Sequence, residues 1–211
     1  SAIYNPKSQI SARLFSYRRQ DLDLDFFTRR IERAVKVREA AGVDLSLCRL
    51  VWSESDGLPG VVVDRYGDFL VLQTLTLGMA QRQDMIVQAL NDVLKPRGII
   101  ERNEGAVRLA EGMEQVKGVV SGETPEPFVV RYQGSAFHAD LLEGQKTGLY
   151  LDQLDNYQQV AKLARGRRVL DCFCNQGGFA QAAALAGASE VTAVDISESA
   201  VALAAKNAAI A

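Results

Sequence analysis

A strand, a glycine-containing turn, a helix and a second strand follow one another between residues 167 and 195, and this order constrains the fold more than any other feature. The stretch VLDCFCNQGGFAQAA runs from Val169 to Ala183; its apolar start is typical of a short buried strand, and an alanine-rich helix begins at about Gly178. The second apolar run, VTAVDIS, has the length and β-branched content of another strand. Strands that alternate with helices at this spacing predict a βαβ unit and a parallel sheet.

The turn between the first strand and the helix has the composition of a ligand-binding loop. Gly177 and Gly178 allow the backbone to bend sharply and approach a ligand, and the N-terminus of the helix presents unpaired N–H groups to a carboxylate or phosphate. Asp195 stands at the carboxyl end of the next strand, where an acid can accept hydrogen bonds from both hydroxyls of a ribose. The pattern therefore predicts a cofactor that contains a nucleoside.

The residues around the loop distinguish between nucleoside cofactors. A dinucleotide is disfavoured because the G-x-G-x-x-G sequence that seats a pyrophosphate is absent. Asp171, at the end of the first strand, suits a cofactor that carries positive charge, such as S-adenosylmethionine with its amino group and sulfonium. This favours a methyltransferase. Two alternatives stay open: an NAD-dependent Rossmann oxidoreductase, and a non-catalytic RNA-binding or assembly module with a degenerate methyltransferase core.

The cysteines offer a competing interpretation of the same loop. Cys172 and Cys174 form C-x-C, whereas the redox motif is C-x-x-C, and a metal site would need further ligands, for which Cys48 and His138 are distant single candidates. We therefore expect no metal site and expect the two loop cysteines to pack as small apolar side chains. His138 falls in an alternating strand pattern that indicates a structural role.

Composition limits the class of protein. The chain has 211 residues, 47% of them hydrophobic and 24% charged, which is ordinary for one large or two small globular domains. Its sequence shows neither a secretory signal nor an apolar run long enough for a membrane helix, so we expect a cytoplasmic protein. Residues 1–40 carry nine Lys/Arg against five Asp/Glu, which suits either contact with RNA phosphates or a solvated helix face.

The rest of the chain divides by pattern into an α+β part and an α/β part. Residues 21–42 have the spacing of an amphipathic helix, residues 48–76 that of antiparallel hairpins, and residues 82–94 that of a second helix. RGIIERN and PFVVRYQGSAFHADLL predict further strands, which gives a small α+β unit over about residues 45–135. After residue 150 the order becomes helix, strand, helix, strand, helix. Because a doubly wound sheet usually has five or more strands, we expect this chain to be part of a longer protein.

Four segments in this order resemble one family, the bacterial and archaeal S-adenosylmethionine-dependent methyltransferases that make 5-methylcytosine in large-subunit ribosomal RNA. They are YNPKSQISARLFS, DGLPGVVVDRYGDFLVLQ, LLEGQKTGLYLDQLDNY and VLDCFCNQGGFAQAAALAGASEVTAVDIS. The resemblance implies the tail of an N-terminal PUA-like RNA-binding domain and linker at residues 1–20. It further implies a helix and central α+β domain at 21–135, and at 136–211 the first part of a Rossmann-like class I methyltransferase sheet.

The resemblance also implies site residues and partners. Asp195 matches the ribose-binding acid, with Ile196 beside the adenine and Ser197 next to it. The other implied cofactor contacts match the loop and a segment that covers the cofactor: Asp171, Phe173, Asn175, Gly177 and Phe179 in the loop, and Tyr150, Asp152 and Gln153 in the covering segment. The family pattern there continues as LDQRDNR, whereas this chain has Leu154 and Tyr157, which removes two positive charges.

The catalytic residues of the family have no match in this sequence. The family's Asp-Pro-Pro motif and its nucleophilic cysteine follow the segments matched here, and none of the three cysteines stands at that position. The resemblance therefore implies a chain that is inactive alone. It also implies 23S ribosomal RNA as the substrate and a possible homodimer.

Overall fold

The computed structural model describes residues 1–144 and 148–211; residues 145–147, part of the LLEGQKTGLY match, lie outside the described residues. The chain forms two compact units. The first contains Ser1–Pro125 and the short segment that begins at Leu141, and the second contains Glu126–Asp140 and the chain from Gly148 to Ala211.

The first unit is built on a five-stranded mixed sheet. Its strands lie in the order β3-β4-β5-β6-β7, and all neighbours are antiparallel except β5 and β6, which are parallel. A separate two-stranded hairpin, β1–β2, precedes the sheet. The elements are β1 (Ala2–Tyr4), β2 (Ala12–Leu14), α1 (Leu24–Ala40), β3 (Leu47–Trp52), β4 (Val61–Tyr66), β5 (Phe69–Thr74), α2 (Leu77–Ala80), α3 (Gln83–Leu94), β6 (Gly98–Asn103), α4 (Ala106–Ala110) and β7 (Val116–Gly122), with a 3-10 helix at Ser53–Asp56.

Helix α1 confirms the amphipathic pattern predicted for residues 21–42. The Asp23 side chain accepts a hydrogen bond from the backbone N–H of Phe26 at 2.9 Å and so caps the helix. The buried face includes Phe27 and Ile31, which join α3 and the strands in a single apolar core. Burying each such side chain contributes about 1.5–3 kcal/mol, so the face and not the cap dominates the stability of this helix.

The hairpins predicted over residues 48–76 are confirmed, but the strand prediction for this unit was incomplete. β7 was not predicted, because Lys117, Gly118 and Gly122 dilute its β-branched run and weaken the strand pattern. The short elements β1, β2, α2 and α4 were also missed; each has five residues or fewer, too few to show a periodicity.

The second unit contains the predicted βαβ arrangement. β10 and β11 are parallel, with Asp171 opposite Ala193, and a separate antiparallel hairpin joins β8 to β9. The elements are β8 (Phe128–Tyr132), β9 (Ser135–Ala139), a 3-10 helix at Leu151–Gln153, α5 (Leu154–Ala164), β10 (Arg168–Cys172), α6 (Gly178–Leu185), β11 (Glu190–Val194) and α7 (Glu198–Ala208).

The expectation that β10 is a buried strand was wrong. Leu170 is 64% exposed and Val194, on the same face of β11, is 44% exposed. The half-buried residues Val169 and Val191 alternate with them along the two strands. Helix α6 contacts both strands, and the burial alternates because side chains on a strand point to opposite faces.

A buried carboxylate fixes the β1–β2 hairpin to the rest of the first unit. Glu111 accepts hydrogen bonds from Asn5 Nδ2 at 2.9 Å, Ser8 Oγ, Arg13 Nη2 at 3.2 Å and the backbone N–H of Leu77 at 3.3 Å. Burial alone would raise the pKa of Glu111, but these bonds outweigh it and hold the pKa below its ordinary value of 4.5. The ionised carboxylate is therefore part of the folded structure.

Replacing Glu111 with Gln is expected to lower the free energy of unfolding by about 2 kcal/mol, because an amide oxygen cannot satisfy four donors. The matched control is Glu54→Gln, because Glu54 is exposed and contacts the same Arg13 at 3.5 Å; we expect it to cost under about 1 kcal/mol. Urea unfolding followed by the fluorescence of Trp52, the single tryptophan, reports on this unit. Equal effects of the two substitutions would contradict the assignment.

The lowered pKa also predicts a pH dependence. A group whose pKa is lower in the folded state stabilises fully above its unfolded pKa and loses that contribution as the pH falls through the folded value. The unsubstituted protein should therefore lose stability below about pH 4.5 more steeply than Glu111→Gln.

Candidate functional site

The loop between β10 and α6 has an unusual backbone. Phe173, Asn175 and Gly177 all have positive φ, at 62°, 48° and 78°. Such values are uncommon for non-glycine residues and cost energy that surrounding contacts must supply. The loop is fastened by a hydrogen bond from the Cys174 N–H to the Val194 carbonyl at 3.0 Å and by one from Gly177 N–H to the Cys174 carbonyl at 2.8 Å. The sequence predicted glycine freedom here but not the two non-glycine positions.

Gly177 is required on two grounds. Its φ lies in the left-handed region, and a Cβ at this position would come within 3.0 Å of the Ala204 Cβ on α7. Phe173, by contrast, is 86% exposed. The loop thus packs closely against α7 at Gly177 while it presents the Phe173 ring to solvent.

Asp171 lies near the carboxyl end of β10, as predicted, and is half-buried. Its Oδ2 accepts a hydrogen bond from the Ala180 N–H in the first turn of α6 at 3.1 Å. Burial raises the pKa of Asp171; the Ala180 N–H lowers it, and the negative charge of Asp195 raises it again. The two acids therefore interact electrostatically, and this end of the two strands attracts positive charge.

Asp195 follows β11 directly and organises the loops on both sides. Its Oδ1 accepts the Ser197 N–H and its Oδ2 accepts the Asn175 N–H, each at 2.9 Å. These two bonds, the one from Ser197 first, lower the pKa of Asp195, and the backbone N–H of Ile196 lowers it further. Because the two carboxylate oxygens can together accept about four hydrogen bonds, Asp195 keeps capacity for a ligand hydroxyl.

The residues after Asp195 differ in their surroundings. Ser197 caps α7 by accepting the Ala200 N–H at 3.2 Å. Ile196 is 97% exposed, which is unusual for so apolar a side chain. Both residues follow Asp195 directly: Ser197 serves as the N-cap of α7, and the Ile196 side chain is open to solvent.

The predicted covering segment approaches the same region. Gln176, buried in the loop, donates through Nε2 to the Gly148 carbonyl at 2.9 Å. Burial raises the pKa of the Tyr157 hydroxyl, and the nearby Asp152, Asp171 and Tyr150 raise it further. Gln153 differs, because its amide bonds to Asp152 and Asn156 within its own segment.

Phe179 and two polar residues complete the surroundings of the loop. Phe179 contacts the Tyr157 ring edge-to-face, with centroids 4.6 Å apart. Asn207, fully buried on α7, donates to the Gln176 carbonyl at 3.1 Å and accepts the His138 N–H at 2.8 Å. Sequence reasoning missed Gln176 and Asn207; the signal for Asn207 is one uncharged polar residue inside the alanine-rich run AAKNAAIA.

Cys174 and His138 are placed as their structural interpretation requires, but the expectation that Cys172 also packs as a small apolar side chain was wrong. Cys174 is buried, and burial raises the pKa of its thiol, whereas Cys172 is exposed. His138 lies in β9, where its backbone N–H and its Nδ1 both contact Asn207 Oδ1. Within residues 1–144 and 148–211 no three His, Cys, Asp or Glu side chains come close enough to hold a metal ion. In the same part of the chain no helix is both long and apolar enough to cross a membrane.

The sequence is similar to a known family and to curated ribosomal RNA methyltransferases. Residues 112–210 match the model of the S-adenosylmethionine-dependent methyltransferases. The chain is 43% identical to ribosomal RNA large subunit methyltransferase I of Photobacterium profundum over 92% of its own length and 50% of the relative's. It is 44% identical to the protein of the same name from Aeromonas hydrophila, over 97% of its own length and 53% of the relative's. The chain thus spans about half the length of the curated relatives it matches.

Solved structures agree with this similarity. A Streptococcus mutans protein described as a candidate S-adenosylmethionine-dependent methyltransferase superposes with a TM-score of 0.82 at 26% identity, over 98% of this chain and 54% of that one. A candidate methyltransferase complexed with S-adenosylhomocysteine superposes with a TM-score of 0.80 at 26% identity, over 93% and 51%. These likenesses confirm the Rossmann-like α/β and α+β fold class and S-adenosylmethionine as the cofactor of the family.

Proposed function

We propose that the whole protein methylates RNA of the large ribosomal subunit, because residues 112–210 match the model of the S-adenosylmethionine-dependent methyltransferases. The names of the curated relatives support this substrate. The observation that carries the proposal is the pair of acids, Asp171 and Asp195, at the carboxyl ends of two adjacent parallel strands. Ligands of open α/β sheets bind at that end of the strands.

The predicted site residues divide by the part of the cofactor that each suits. Asp195 would accept hydrogen bonds from the ribose hydroxyls, and the exposed Ile196 would lie against the adenine. Asp171, whose carboxylate accepts the Ala180 N–H at the start of α6, and Asp152 would face the positive charge of the methionine part. After burial, the negative charges of both acids raise the pKa of the Tyr157 hydroxyl. The remaining proposed contacts shape the loop and its cover: Phe173, Asn175, Gly177, Phe179, Ser197, Tyr150 and Gln153.

We propose cytosine C5 as the methylated atom. This position is a poor nucleophile until a thiolate has added to C6, so the reaction needs a reactive cysteine as well as a base that removes the C5 proton. Burial raises the pKa of Cys48 to about 11 and also raises that of Cys174, which makes both unsuited to attack. Cys172 does not stand at the family's position. The chain alone would therefore bind the cofactor without turning over.

The domain assignment follows the same proposal. Residues 1–20 would be the end of a PUA-like RNA-binding domain, 21–135 a central domain, and 136–211 the first part of the catalytic domain. The target base must leave its helix or be single-stranded to reach the methyl group. A homodimer and a cytoplasmic location stay predictions.

The proposed function is tested by product analysis. The full-length protein, incubated with large-subunit RNA and methyl-labelled S-adenosylmethionine, should yield labelled 5-methylcytidine after digestion to nucleosides. The 211-residue chain should bind S-adenosylhomocysteine by calorimetry but release no labelled nucleoside. Label in another nucleoside would contradict cytosine C5, and binding of NADH in preference to S-adenosylhomocysteine would favour the oxidoreductase alternative.

A further inference from the structure

We propose that the Tyr157 hydroxyl binds the carboxylate of the amino-acid part of S-adenosylmethionine. The inference rests on the proposed function, because it places a further specificity-determining residue in the same site. Tyr157 is not among the residues that the sequence indicated as cofactor contacts.

The first support is the position of the phenol at the start of α6. A Cβ built on Gly178, the first residue of that helix, would lie 2.3 Å from Tyr157 Cζ and 2.7 Å from its hydroxyl oxygen. The polar end of the side chain, and not only the ring, therefore contacts the helix N-terminus. Helix N-termini favour negative charge because their first N–H groups are unpaired and the macrodipole is positive there.

The second support is that aromatic contacts fix the Tyr157 ring while its hydroxyl makes no hydrogen bond within the described residues. The Tyr157 ring contacts Phe179 edge-to-face at 4.6 Å and Phe137 at 6.2 Å, and these contacts fix its direction. Among residues 1–144 and 148–211 the hydroxyl makes no hydrogen bond. A half-buried hydroxyl without a partner has donor capacity for a ligand.

The third support is the charge around the hydroxyl. Burial, followed by the negative charges of Asp152 and Asp171 and then by Tyr150, raises the pKa of Tyr157 to about 12, so the phenol remains a donor at neutral pH. An amino-acid zwitterion needs acceptors for its ammonium and donors for its carboxylate next to one another. Here Asp152 and Asp171 supply the acceptors, while the phenol and the α6 N-terminus supply the donors.

The test compares two ligands that differ in the amino-acid part. S-Adenosylhomocysteine carries the carboxylate, whereas 5′-methylthioadenosine keeps the adenosine and thioether but lacks the amino-acid group. Calorimetric titration of Tyr157→Phe, which keeps the ring contacts, should show about tenfold weaker binding of S-adenosylhomocysteine and unchanged binding of 5′-methylthioadenosine. The control Tyr132→Phe removes a phenol that donates to Asp155 at 2.7 Å in the same unit and should change neither affinity.

Each other outcome overturns the inference in a recognisable way. Unchanged binding of both ligands by Tyr157→Phe would show that the hydroxyl contacts no part of the cofactor. Equal weakening of both would mean that Tyr157 acts through the packing of the loop. If the unsubstituted full-length protein bound neither ligand, the proposed function would fail as well, which the first two outcomes leave intact.

Discussion

Replacing Asp195 with alanine is expected to weaken the binding of S-adenosylhomocysteine at least about 100-fold. Two effects combine. The ligand loses a charged acceptor for its ribose hydroxyls, and the backbone N–H groups of Asn175 and Ser197 lose the carboxylate that now holds both loops. Calorimetry measures the affinity, and circular dichroism checks that the variant is folded.

The two effects can be separated by changing the ligand as well as the protein. If Asp195 contacts the ribose, removing the 2′-hydroxyl from the ligand should weaken binding to the unsubstituted protein but hardly change binding to the variant. Additive losses would mean that the acid only shapes the loops. The matched control is Glu190→Ala at the start of β11, the strand that Asp195 follows, because Glu190 makes an exposed ion pair with Arg168 and should leave the affinity unchanged.

Gly122→Ala is expected to lower the free energy of unfolding by about 3 kcal/mol or more. Gly122 has a φ of 73°, and a Cβ there would lie 2.1 Å from the carbonyl oxygen of Arg97 and 3.0 Å from the Cα of Gly98. The obstacle is backbone where the neighbouring strand β6 begins, and the Arg97 carbonyl there accepts a hydrogen bond from the Glu123 N–H at 2.9 Å. The end of the β6–β7 ladder would have to open.

The control lies in the same strand. A Cβ on Gly118 meets no atom within 4 Å, and its φ is not positive, so Gly118→Ala should change the stability by under about 1 kcal/mol, with the lower unfolded-state entropy of alanine favouring the variant. Both are measured by urea unfolding with the fluorescence of Trp52, which belongs to the same unit as β7. Similar midpoints for the two variants would contradict the steric explanation.

Much of the fold could be predicted because its signals are local. The 3.6-residue spacing of apolar side chains in α1 and α3 and the turns at Asp56-Gly57 and at Tyr66-Gly67-Asp68 place those elements without knowledge of their partners. β7 could not be predicted in the same way. Its strand character comes from pairing with β6 along the ladder, and its own residues favour strand only weakly.

The sequence by itself determined the order of strand, loop, helix, strand and acid, and with it the class of cofactor, because glycines and an acid at fixed positions in a βαβ unit leave few alternatives. Only the tertiary structure decided which polar groups meet. Asp195 bonds to Asn175, Asn207 connects α7 to His138 and Gln176, and the Tyr157 phenol lies against Gly178. These pairs are far apart along the chain, and a hydrogen bond depends on atoms within about 3 Å, a distance that packing sets and residue spacing does not.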